Sequence, residues 1–109
     1  MNVVYFEVDD PRVALPSGFL KKSVLDWLDD NVSPSDEVRR YRSFAYSDGG
    51  WLYVKNSTIY GLLEEMPLNA IKRLNSVPDL FNKRMKWRPD RHCFLFDRKI
   101  DTMLFKLSW

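Results

Sequence analysis

The stretch Lys83-Arg84-Met85-Lys86-Trp87-Arg88-Pro89-Asp90-Arg91-His92 gathers five cations, one histidine and one indole in ten residues, against a single acid. Lysine and arginine neutralise phosphates, and an indole offers a base a stacking surface, so these residue types at this spacing suit a single-stranded nucleic acid. Arg39-Arg40-Tyr41-Arg42 is a second cluster of the same kind. Each cluster also has a structural explanation. Cations at a helix C-terminus complement its dipole, which accounts for Lys83, Arg84 and Lys86. Alternating arginines on an exposed strand discourage edge-to-edge pairing.

His92 is the only histidine and Cys93 the only cysteine. Adjacent strand residues point to opposite faces, so these two cannot act as a nucleophile–base pair or share a metal. One cysteine and one histidine are too few for a structural zinc site. No glycine-rich phosphate loop is present, because the glycines are Gly18, Gly49, Gly50 and Gly61. Asp90 and Asp97 with Lys99 are too loosely spaced to read as a nuclease carboxylate set, and Asp97-Arg98-Lys99 is sufficiently explained as a turn. No catalytic residue, metal or cofactor is assigned, and the chain reads as non-enzymatic.

The elements that hold these residues follow from periodicity. Val3 to Val8 is apolar on both alternating sets and is expected inside a sheet rather than at its edge. Ser17 is placed as N-cap of a helix from Gly18 to Asn31, with Leu20, Val24, Trp27 and Leu28 on one stripe. Ser33-Pro34-Ser35-Asp36 reads as a second, short helix start. Tyr41 to Leu63 is expected to form a three-stranded antiparallel meander. Its strands are Tyr41 to Tyr46, Trp51 to Val54 and Thr58 to Leu63, with turns at Ser47-Asp48-Gly49-Gly50 and Lys55-Asn56-Ser57. Helices follow from Pro67 to about Asn75, with Leu68, Ile71 and Leu74 as the apolar side, and from the capping pattern Ser76-Val77-Pro78-Asp79 to about Lys86, with Leu80, Phe81 and Met85 as its apolar residues. His92 to Phe96 is a strand. Thr102 to Trp109 is read as its hairpin partner, since Met103, Phe105, Leu107 and Trp109 alternate with Leu104, Lys106 and Ser108. The order predicts a single α+β domain over 1–109, with a mainly antiparallel sheet of five or six strands and helices packed mostly on one face.

In that reading Arg91 leads an apolar strand that turns into a final strand ending near Leu107. This segment resembles the terminal hairpin of RelE/HigB-type ribonuclease toxins. The resemblance implies a ribonuclease acting on RNA through the basic-aromatic segment 83–92.

Composition narrows the partners. A share of 45% hydrophobic and 15% aromatic residues is ample for a core and argues against disorder. The net charge of +2 conceals an acidic first part and a basic later one. Glu7 to Glu37 holds eight acids against three bases, and Lys72 to His92 holds seven bases against two acids. Asp26, Asp29 and Asp30 are expected to face solvent on the side away from the basic segment. No apolar run is long enough to span a membrane. The N-terminus lacks the basic, apolar pattern of a secretion signal. A lone cysteine fits a reducing compartment, so a cytoplasmic location is expected. Trp51 and Tyr53, with Tyr60, are expected to form an exposed aromatic patch, since Leu52 and Val54 supply an alternative inward face; Trp, Tyr and Arg are the types favoured at interfaces.

The function expected from these features is a small, phage- or plasmid-type regulator or inhibitor that binds a partner protein or a second copy of itself. The alternative is an RNA or single-stranded nucleic-acid binder. The candidate partner-contacting residues are Arg39, Arg40, Arg42, Trp51, Tyr53, Lys83, Arg84, Lys86, Trp87, Arg88 and Arg91.

Overall fold

Strands that are apolar on both faces need a covering layer on each side, and the sheet has both. The structure is a computed structural model and describes residues 2–32, 38–41, 44–47, 50–55, 68–75 and 91–109. Its strands are β1 (Val3–Glu7), β2 (Val38–Arg40), β3 (Phe44–Ser47), β4 (Trp51–Lys55) and β5 (Arg91–Phe96). Its helices are α1 (Lys22–Asn31), α2 (Leu68–Asn75) and α3 (Lys99–Ser108). The fold is α+β, one antiparallel sheet in the order β1-β5-β4-β3-β2. The Cα radius of gyration, 13.0 Å, is that of one compact domain of this size.

Register sorts the side chains. Val4 pairs with Phe94, Phe94 with Tyr53, and Tyr53 with Ala45. These residues, with Phe6, Phe96 and Trp51, form the first face. They share a core with Val24 and Leu28 of α1 and Phe105 of α3. Phe105 is fully buried, with ring centroids 4.7 Å from Phe94, 5.2 Å from Phe96 and 5.7 Å from Trp27. The second face carries Phe44, Tyr46, Leu52, Val54, Cys93 and Leu95, which pack with Ala70 and Ile71 of α2. Arg73 fastens α2 there, donating to the Ser47 carbonyl at 3.0 Å and to Asp97 at 3.1 Å. Two helices thus lie on the first face and one on the second. Leu68, expected to point inward, is exposed at the start of α2.

Four expectations are corrected. First, among the described residues β1 is an edge strand, paired with β5 alone. Its two apolar faces reflect two covered layers and not a central position: Val4 and Phe6 join the first core, while Val3 and Tyr5 pack against the second.

Second, Ser17 is not a helix cap. Leu15 N donates to Phe19 O (2.8 Å) and Gly18 N to Leu15 O (2.9 Å), closing a three-residue loop, Pro16-Ser17-Gly18. Gly18 has φ +85°, the conformation glycine supports in such loops. α1 therefore begins later, with Lys21 as its N-cap.

Third, the chain after β5 is a helix and not a strand. β5 is flanked by β1 and β4, so no free edge remains for a hairpin partner. Met, Leu and Lys are also good helix formers. The terminal hairpin that carried the resemblance to RelE/HigB-type toxins is absent.

Fourth, Trp51 and Tyr53 are buried in the first core and form no exposed patch. Leu52 and Val54 are buried too, because both faces of β4 are covered.

The predicted helix start at Ser33-Pro34-Ser35-Asp36, the strand 58–63 and the helix opened by Ser76-Val77-Pro78-Asp79 lie outside the described residues.

Candidate interaction surface

α3 places its residues about 100° apart around its axis. One side, Asp101, Thr102 and Phe105, is buried. The other side carries Ile100, Met103, Leu104 and Leu107, spaced i, i+3, i+4 and i+7. These four remain 42% to 83% exposed, Leu107 the most. Together they expose on the order of 400 Å² of apolar surface, the size of the largest apolar patch on a typical monomeric domain, which is often functional.

The ends of the helix are fixed. Arg98 grips the buried Asp101 carboxylate through two hydrogen bonds, at 2.9 and 3.1 Å. Arg12 donates to the Trp109 carbonyl at 3.1 Å while its guanidinium stands 5.1 Å from the Phe6 ring centroid. The Arg12 hydrogen bond also holds the Asp10 carboxyl below its ordinary range.

Lys99 and Lys106 are exposed and, seven residues apart, lie along the same flank of the apolar stripe. The opposite flank ends in Ser108, whose hydroxyl donates to the Leu104 carbonyl at 2.9 Å. The stripe is therefore rigidly presented and bordered by positive charge on one side.

Of the basic residues singled out from sequence, the described ones, Arg39, Arg40 and Arg91, are apart from one another. Arg40 pairs with Asp26 at 3.0 Å and with Asp29, tying β2 to α1. Hydrogen bonds from Arg40 and then Lys22 hold the Asp26 carboxyl below its ordinary range. Two of the acids expected to face solvent thus meet an arginine of the second basic cluster. Arg39 points to the opposite face of β2, as strand alternation requires. Arg91 lies against the Tyr5 ring, its guanidinium carbon 4.0 Å from the centroid. Arg91 and the β2 arginines are three strand spacings apart, about 14 Å. Arg42, Lys83, Arg84, Lys86, Trp87 and Arg88 lie outside the described residues.

His92 and Cys93 do point to opposite faces, and both are completely buried. The His92 Nε2 lies 3.1 Å from the Val8 carbonyl, which can only accept, so Nε2 carries the proton. Nδ1 lies 2.7 Å from the Tyr53 hydroxyl. The imidazole joins β4, β5 and the end of β1, a structural arrangement without access to solvent. Burial pushes the Cys93 thiol up to about 12, with Arg91 and Tyr5 only partly opposing it, so this sulfur is a poor nucleophile.

Among the described residues no group of three or more His, Cys, Asp and Glu side chains is arranged to hold a metal ion. A depression of about 310 Å³ is lined by Tyr46, Asn69, Ala70, Lys72, Arg73 and Asp97, and within it Arg73 and Asp97 pair with each other. Among the described residues no helix is long and apolar enough to cross a membrane.

The sequence reading assigned no interaction role to Ile100, Met103, Leu104 and Leu107. Their i, i+3, i+4, i+7 spacing is the helical signal. The competing two-residue alternation from Met103 to Trp109 hides it, since a short apolar run supports either period. No protein-family model matches this chain, and no curated protein or solved structure shows significant similarity to it.

Proposed function

We propose that this chain is a protein-binding regulator or inhibitor that seats the outer face of α3 against a partner protein in the cytoplasm. The observation that carries this reading is the Ile100-Met103-Leu104-Leu107 stripe. Four large apolar side chains stand in water on a helix whose inner side is already fully packed. Helices that dock into apolar grooves present their anchors at this spacing. The burial of His92 and Cys93 supports binding over catalysis by these two residues.

The test uses the chain as bait for proteins of its native host, alongside Leu107→Glu. Leu107 is the most exposed of the four, so the variant should keep the wild-type melting temperature and lose the retained partner. Equal retention by both proteins would remove α3 from the interface and with it this reading.

A further inference from the structure

We draw no further inference here: the strongest candidate, the outer face of α3 with its Ile100-Met103-Leu104-Leu107 stripe and its Lys99 and Lys106 flank, belongs to the surface already described, and nothing in the structure shows what covers it.

Discussion

α1 and α3 are both ten residues long, share the core on the first face of the sheet, and touch through Trp27 and Phe105, yet their outer sides differ in kind. α1 presents Lys22, Asp26 and Asp30 to solvent and uses Asp26 and Asp29 to bind Arg40. α3 presents Ile100, Met103, Leu104 and Leu107. Covering the sheet demands one apolar side from each helix, and both supply it. The second apolar side of α3 takes no part in covering the sheet and stays exposed. The acids on α1 have a structural use that solubility alone would not require: they anchor the edge strand β2.

The largest effect should come from the inner side of α3. Phe105→Ala removes a ring in contact with Phe6, Phe94, Phe96 and Trp27 and should cost about 3–5 kcal/mol, read by chemical denaturation. A loss below about 1 kcal/mol would mean that α3 is not part of the core, and the contrast with α1 would fail.

Next comes the buried imidazole. Tyr53→Phe leaves the buried His92 Nδ1 without its hydrogen-bond partner at 2.7 Å and should cost about 1–3 kcal/mol. An NMR spectrum of the His92 ring should meanwhile keep the proton on Nε2. A ring without a proton on Nε2 in the wild-type chain would contradict the Val8 hydrogen bond.

A smaller effect separates the helices by pH. Arg40 and Lys22 lower the Asp26 carboxyl, and Arg12 lowers that of Asp10. Groups lowered in the folded state contribute their full stability above the unfolded carboxylate value, about 4. That contribution is lost as pH falls through the lower folded values. The melting temperature should therefore drop on acidification below about pH 4, and Asp26→Asn should make the drop shallower. Substitutions on the outer side of α3 should not alter the slope. An unchanged slope in Asp26→Asn would show that the α1–β2 ion pairs add nothing in solution.

The smallest stability effect is expected from Leu107→Glu, within about 0.5 kcal/mol of wild type, because the side chain is 83% exposed. Its consequence should appear in partner binding alone. A substantial loss of stability would show that the outer stripe belongs to the core after all.

The sequence by itself determined the fold class, the antiparallel strands around Trp51 and His92, the helix Leu68–Asn75 and the opposite facing of His92 and Cys93. All of these rest on local period and turn residues. Tertiary structure decided what local pattern left degenerate. Met103 to Trp109 satisfies both a two-residue and a helical period, and the absence of a free edge beside β5 selected the helix. Pro16-Ser17-Gly18 fits either a cap or a tight loop, and the Leu15–Phe19 hydrogen bond selected the loop. Alternation in β4 could not reveal that both its faces are covered, because α1, α2 and α3 come from distant parts of the chain. The candidate site was legible only as four apolar residues. That they stand outward on a helix, beside Lys99 and Lys106, was fixed by the burial of Phe105 on the other side.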